Sequence, residues 1–510
     1  MGEFNVYRGT SRLLIIVASL AICACGTLKP GHPGLTADAA ASPSTTNSFG
    51  SFGDFERRHR NTRNTATLES GAGLAGKMLI LDPLLRPVST VEALYGATLK
   101  SVGGFVERRV IENVSLRQLR YKPVPELAAA EPMDPVAWER ELDELTGVTP
   151  STGRLRLLVD GEEYYQRLNQ AIDEAGQSID IRTYIYDNDD VALDVADRLR
   201  ARSANVDIRI MVDGLADLFA TRLDSQSMPK DTVLPASISD YLTYESRIEF
   251  RKQSNPWFTG DHAKITLIDG QRAFLGGMNI GREYRYDWHD LMMEVDGPIV
   301  DRLQYEFDKN WARSGVFGDF GMMFESIKGY PRSTAPRGIP LRLLTTSVRD
   351  SQIYRAQVAA IRRARNRIYI QNAYFSDDKI LYELARARLR GVDVRVILGA
   401  ENDSGIHDLS NQSAIDVMLK HGIRVYRYPG MTHVKAAVYD GWACLGSANF
   451  DKLSLQINRE INLGFSDPAT VQRLVERVFV HDFRVAEEIR QAPALEARHR
   501  FAELIVDELF

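Results

Sequence analysis

Two histidine and lysine pairs carry the chemistry open to this sequence. His262 and Lys264 begin an H-x-K-x4-D pattern that ends at Asp269 and is followed by Gly276, Gly277, Asn279 and Asp290. The same order returns as His433, Lys435, Asp440, Gly446, Ser447, Asn449 and Glu460. Asparagine to carboxylate is eleven positions in both copies (290 less 279, 460 less 449), while histidine to asparagine is seventeen in the first and sixteen in the second. A lone H-x-K is a chance match on many surface strands; two copies in one order are not.

Read as part of a strand, each pair faces one side, because residues two apart point the same way. Lysine neutralises the non-bridging oxygens of a phosphate, and imidazole at neutral pH serves as nucleophile or proton donor. Two such half-sites place two histidines on one phosphorus, the arrangement for an in-line displacement in which one attacks and the other protonates the leaving oxygen. Asp290 and Glu460 suit a second role, accepting a hydrogen bond from the far nitrogen of an imidazole and so fixing its tautomer. Asp269 and Asp440 each precede a glycine at a strand end, a hairpin-turn signal, and are read as structural. Asn279 and Asn449 have two readings, as amide donors to phosphate oxygens or as turn formers. No cluster of His, Cys and carboxylate has metal-ligand spacing, so neither metal nor cofactor is expected.

These residues need elements to hold them, and the surrounding sequence repeats as well. After LRLL at Leu155 come a helix carrying Tyr165, Leu168 and Ile172 on one side, the strand SIDIRTYIY, the helix DVALDVADRLRAR and the strand VDIRIMVD. From Leu341 the order recurs as LRLL, a helix through Ile353 and Ala360, RIYIQNAYF, KILYELARARLRG and VDVRVILG. This is an internal duplication of an α/β unit whose sheet is covered on both faces, with one shared centre. Domain 1 is placed at 151–328 and domain 2 at 341–510, joined by a linker at 329–340.

The flanks are less repetitive. Arg8 and Arg12 precede an apolar run from Leu13 to Cys23, which is short for a membrane span and suits a secretory signal over 1–25. The run ends in a box like that of bacterial lipoproteins, with Cys25 as the residue to be acylated. A Gly-, Pro- and Ser-rich tether occupies 26–76, and 77–150 form an N-terminal flank. In that flank Asp134 caps a helix with Pro135 at its first position, Trp138, Leu142 and Leu145 on one face, and Gly147 at its end. Cleavage before Cys25 leaves only Cys25 and Cys444, too few for a disulfide framework, and Cys444 reads as a buried, inert thiol. At 510 residues with a formal net charge of −5, the chain has several domains and no general pull toward nucleic acid.

The paired motifs, together with GGMNIG, WHDLMMEVDGPIV and HVKAAVYDGWACLGSANFDKLSLQINREINL, resemble the phospholipase D superfamily and, within it, the bacterial cardiolipin synthases. The resemblance covers about Leu155 to Phe510. It implies duplicated α/β/α sandwich domains around a central active site and transfer of a phosphatidyl group through a phosphohistidine. His262 would be the nucleophile, His433 the general acid, and Lys264, Lys435, Asn279 and Asn449 the phosphate holders. It also implies glycerophospholipid substrates, phosphatidylglycerol among them, with hydrolysis to phosphatidic acid and the superfamily's nuclease activity as alternatives. Two features depart from the pattern: Gly277 stands where the second copy has Ser447, and the chain starts like a lipoprotein facing the periplasm rather than with spanning helices. Trp257, Phe258, Tyr428, Pro429 and Met431 flank the motifs, either as an acyl-chain entrance or as core.

Overall fold

A computed structural model describes residues 80–491, apart from 81, 121, 129, 215, 217–226, 254–258, 330–336 and 404. The signal, the tether, Cys25, Trp257, Phe258 and most of the linker lie outside the described residues.

The first half contributes strands β1 (Ser151–Val159), β2 (Ser178–Thr183), β3 (Asp207–Asp213), β4 (Glu249–Gln253), β5 (Ile265–Ile268), β6 (Arg272–Gly276) and β7 (Leu291–Asp296). The second contributes β8 (Ile339–Thr346), β9 (Arg367–Gln371), β10 (Asp393–Gly399), β11 (Arg424–Tyr428), β12 (Ala436–Tyr439), β13 (Trp442–Gly446), β14 (Glu460–Phe465) and β15 (Glu487–Ile489). All belong to one sheet of order β15-β11-β10-β9-β12-β13-β14-β8-β1-β7-β6-β5-β2-β3-β4. Read outward from its middle, each half runs through seven corresponding strands in the same order, and the second half adds β15 at its outer edge. The halves meet edge to edge where β1 and β8 pair antiparallel, Ser151 opposite Leu341 and Gly153 opposite Ile339.

Local sequence explains the repeated elements. Asp189 caps the helix Asp190–Arg202 by accepting from the Ala192 N–H, and Arg200 and Arg202 stand in its last turn, where cations suit the helix dipole. Asp377 caps the helix Asp378–Leu389 in the same way through Ile380. Apolar residues at helical spacing on the first of these helices, Val195 and Leu199 among them, bury against Ile179 and Ile181 of β2. Their counterparts Leu384, Ile368 and Ile370 form a separate core in the second half. The remaining apolar face of the sheet is common ground: Leu157, Ile265, Phe307, Leu343, Val438 and Phe479, from both halves, make one cluster. The architecture is thus the duplicated α/β fold expected.

Two local expectations need correction. SIDIRTYIY and RIYIQNAYF do not remain strands to their ends; the ladders stop at Thr183 and Gln371, and beyond them only the isolated bridges of Tyr186 with Ile280 and Phe375 with Phe450 follow. Nor do the H-x-K residues sit inside strands. β5 begins at Ile265 and β12 at Ala436, each just past its lysine, because the preceding residues pair instead with the opposite half.

The helix Pro135–Thr146 is capped as its sequence predicts, with the Asp134 side chain accepting from Val136 and Gly147 at φ 68°. Trp138 and Leu142 are buried, and Trp138 meets Trp442 edge-on at 5.3 Å. Arg342 of β8 ties the helix further through Glu139 and Asp143. This part of the flank is therefore built into the core of the second half. Trp138→Ala is expected to cost about 3–5 kcal/mol, read as a lowered denaturation midpoint.

Candidate functional site

The two H-x-K segments reach the centre by a crossed backbone pairing. The His262 N–H donates to the Arg459 carbonyl at 2.9 Å, and Arg459 returns a bond to Gly260 at 2.9 Å. On the other side the His433 N–H donates to the His289 carbonyl at 2.7 Å, and the His289 N–H donates to Met431 at 3.1 Å. Arg459 and His289 each immediately precede a motif carboxylate, so this pairing lays each carboxylate against the imidazole of the other half. His262 Nδ1 lies 3.0 and 3.1 Å from the Glu460 oxygens, and His433 Nδ1 lies 2.7 Å from Asp290 Oδ2. With Nδ1–H donating to carboxylate, each Nε2 is the free nitrogen for chemistry.

Other contacts fix the rings and lysines. Tyr184, from the segment where β2 ends, packs edge-on to His262 at 4.9 Å, while Trp288 lies 5.2 Å and Tyr284 5.7 Å from His433. Lys264 Nζ donates to the His262 carbonyl and Lys435 Nζ to the His433 carbonyl, both at 2.7 Å. The His262 side chain is 13% exposed and that of His433 5%, so the first imidazole is the more accessible.

Burial opposes the charged form of every group in this cluster. It lowers both imidazoles well below their ordinary range, an effect that the nearby lysines reinforce. It also draws Lys264 well down, brings Lys435 to about 8, and pushes Asp290 up to about 7 and Glu460 up to about 8. The lysines and carboxylates act on one another in the opposite sense. With both imidazoles neutral, whatever charge the lysines and carboxylates carry is opposed in sign, and a phosphodiester would add one negative charge. That charge raises the affinity of the imidazoles for a proton.

The two half-sites are built differently. Ser447 donates to Glu460 Oε2 at 2.5 Å and accepts from the Ile461 N–H. At Gly277, a Cβ would lie 2.2 Å from Asp290 Oδ1, so the shorter carboxylate occupies the space where a serine would begin. Asn279 accepts from Thr183 and the Ile185 N–H and gives one amide hydrogen to the Tyr284 hydroxyl at 2.7 Å, so much of its bonding is spent inside the first half. Asn449 is buried, and its Oδ1 has no hydrogen-bond partner among the described residues. Asp269, at φ 54°, accepts from the N–H groups of Gly176, Gln177 and Ser178; Asp440, at φ 53°, accepts from Arg365, Asn366, Arg367 and Met133. Both aspartates tie a hairpin to the start of a neighbouring strand, away from the imidazoles. Cys444 is buried in β13. Tyr428 stacks on His289 at 4.5 Å and Met431 is buried, so both pack.

His289 was visible in the sequence only as a neighbour of Asp290. Its Nδ1 lies 2.6 Å from Asp160 and its Nε2 2.9 Å from Asp482, whose other oxygen is 2.9 Å from His481. Burial alone would lower its affinity for a proton, but the bonds to Asp160 and Asp482 more than reverse this and hold it at about 10. A charged imidazole thus joins the first half to the C-terminal part of the second, directly beside Asp290. The folded value stands above the ordinary 6.5, so its contribution to stability is complete below that pH and is lost as pH rises through about 10. Wild type should melt above His289→Gln at pH 6, with the gap closing towards pH 10 in paired thermal melts.

The family described as cardiolipin synthase, PLD-like domain, matches residues 168–311 and 358–482, one stretch in each half. Cardiolipin synthase 1 of Bacillus anthracis is 29% identical over 358 residues, covering 66% of this chain and 67% of that protein. Cardiolipin synthase A of Pseudomonas syringae pv. syringae (strain B728a) is 28% identical over 411 residues, 76% of this chain and 80% of that one. Among solved structures, phosphatidylserine synthase of Haemophilus influenzae Rd KW20 shares the fold, with a TM-score of 0.58 at 12% identity over 73% of this chain and all of that one. With a match in each half spanning more than half of its length, the chain belongs to the cardiolipin synthase PLD-like family.

Proposed function

We propose that the protein is a phosphatidyltransferase that moves a phosphatidyl group from a glycerophospholipid to an alcohol, phosphatidylglycerol being the preferred acceptor and a cardiolipin-type lipid the product. The observation that carries this reading is the pair of imidazoles, each held through Nδ1 by a carboxylate of the other half, in a chain whose family is the cardiolipin synthases.

In the first step His262 Nε2 attacks phosphorus. A P–N bond forms, the P–O bond to the leaving alcohol breaks, and His433 Nε2–H protonates that oxygen. The greater exposure of His262 favours it as the nucleophile. In the second step neutral His433 takes the proton of the acceptor hydroxyl, whose oxygen displaces His262. Glu460 stabilises the positive charge that His262 acquires, and Asp290 stabilises protonated His433. Lys264, Lys435 and Asn449 offset the charge on the phosphate oxygens. Water as acceptor would give phosphatidic acid instead.

Asp290→Asn removes support for the proton donor and should lower turnover of natural phospholipid about 10²–10⁴-fold. With a nitrophenyl phosphatidyl ester, whose leaving group needs no proton, the deficit in the first-turnover release of nitrophenol should fall below about tenfold. The deficit of Glu460→Gln should persist with both substrates; equal behaviour of the two variants would reverse or remove the assigned roles. Labelled phosphatidylglycerol in membranes should pass its label into cardiolipin, and continue to do so after extended chelation. Label found only in phosphatidic acid would make the protein a hydrolase, and cleavage of DNA with no lipid turnover would make it a nuclease.

We further propose that the enzyme is held at the bacterial envelope, facing the periplasm, by acylation of Cys25. The motivation is the basic start, the short apolar run and the box that follows. Mass spectrometry of the mature N-terminus should find acylated Cys25; retained Met1 would remove this anchor.

A further inference from the structure

Most of the large apolar side chains that stand exposed among the described residues fall in two stretches, 80–95 and 316–327. Leu84 is 73% exposed and Val91 64%, while in the helix Gly318–Lys328 and just before it Phe317 is 78%, Phe324 63% and Ile327 75% exposed. The two stretches are docked on each other. Ser89 donates through its backbone N–H to Asp319 at 2.8 Å and through its hydroxyl to the same carboxylate. Arg86 donates to the carbonyls of Arg313 and Gly315 at 3.1 Å. A Cβ on Gly318, at φ 50°, would lie 2.6 Å from the Leu85 carbonyl oxygen. Polar groups thus fasten the underside while the phenylalanines and leucines face outward, the reverse of what an isolated surface helix would select.

We infer that this face docks on a phospholipid bilayer and brings the paired imidazoles to the level of the lipid headgroups. The inference rests on the phosphatidyltransferase reading, and three observations favour a bilayer as the occupant. First, the helix that carries part of the face also reaches the site. The helix Pro87–Val110 packs on the turn Leu453–Ile457, which lies between Asn449 and Glu460, and Lys100 Nζ donates to the Gln456 carbonyl at 2.5 Å and to Ser351 at 2.9 Å. Second, a lipid whose acyl chains stay in the membrane can offer its phosphodiester only to a mouth turned toward that membrane. Third, residues 26–79, which follow the cysteine proposed for acylation, join the described structure at Ile80, itself 66% exposed and at the start of the first apolar stretch. An acyl group on Cys25 and the apolar face would then meet the same bilayer. Among the described residues no helix is long and apolar enough to cross a membrane, so the face lies on the bilayer, its aromatic rings at the headgroup and acyl boundary.

The test uses the full chain with Cys25→Ser, so that no acyl group holds it, and compares it with the same chain also carrying Phe317→Ser, Phe320→Ser and Phe324→Ser. Binding to vesicles of equal parts phosphatidylglycerol and phosphatidylcholine should weaken at least about tenfold, and turnover of vesicle lipid should fall with it. Turnover of short-chain phosphatidylglycerol kept below its aggregation concentration should stay within about twofold, since the imidazoles are untouched. Unchanged vesicle binding overturns the inference. So does a parent that is dimeric without lipid and a variant that is monomeric with vesicle binding intact, because the face then joins two copies. Loss of short-chain turnover in the variant assigns these side chains to the fold instead. If neither protein turns over phospholipid, the phosphatidyltransferase reading falls, while the vesicle-binding comparison still decides the face.

Discussion

The crossed pairing of carboxylate and imidazole is the constraint on which this structure depends. Glu460 reaches His262 only if the second half is in register with the first, and Asp290 reaches His433 only by the reciprocal placement. The backbone enforces both at once, since Arg459 pairs with Gly260 and His262, and His289 pairs with Met431 and His433. Hydrogen bonds at such distances tolerate little displacement. The antiparallel join of β1 and β8, the core shared beneath both halves and the His289 bridge to Asp482 all serve this registration.

Most of the fold was legible because it occurs twice. Apolar periodicity located the helices Asp190–Arg202 and Asp378–Leu389, and the aspartate before each supplied its cap. The hairpin role of Asp269 and Asp440 followed from the glycine after each, and the left-handed backbone at both aspartates is its structural expression. What the pattern could not show is where pairing leaves one sheet for another half. His262, Lys264, His433 and Lys435 read as strand residues because the apolar run begins beside them, yet the backbone N–H groups of both histidines bond across to the other half. Periodicity carries no information about such partners.

Other residues of the site are hidden in the sequence for the same reason. Arg459 and His289 occupy the same offset before their carboxylates, but share no chemistry that would have drawn attention. Tyr184 reads as one more aromatic residue in a strand, and only the turn after Thr183 swings its ring to His262. A serine facing a glycine was visible as a departure between the copies. Its meaning lies in the folded chain, where the Asp290 carboxylate occupies the place a Cβ at Gly277 would take.

That difference has a consequence for how a site of this kind can change. In an assembly of two identical subunits meeting on a symmetry axis, any substitution beside one imidazole is made beside the other as well, and the nucleophile cannot be altered without altering its partner. Joining the two copies in one polypeptide removes that obligation. Ser447 with Glu460, against Gly277 with Asp290, is a broken symmetry written into the covalent chain: one side keeps a longer acid with a hydroxyl on it, the other a shorter acid fitted against bare backbone. Division of labour between otherwise interchangeable groups is what a duplicated gene makes possible and a homodimer does not.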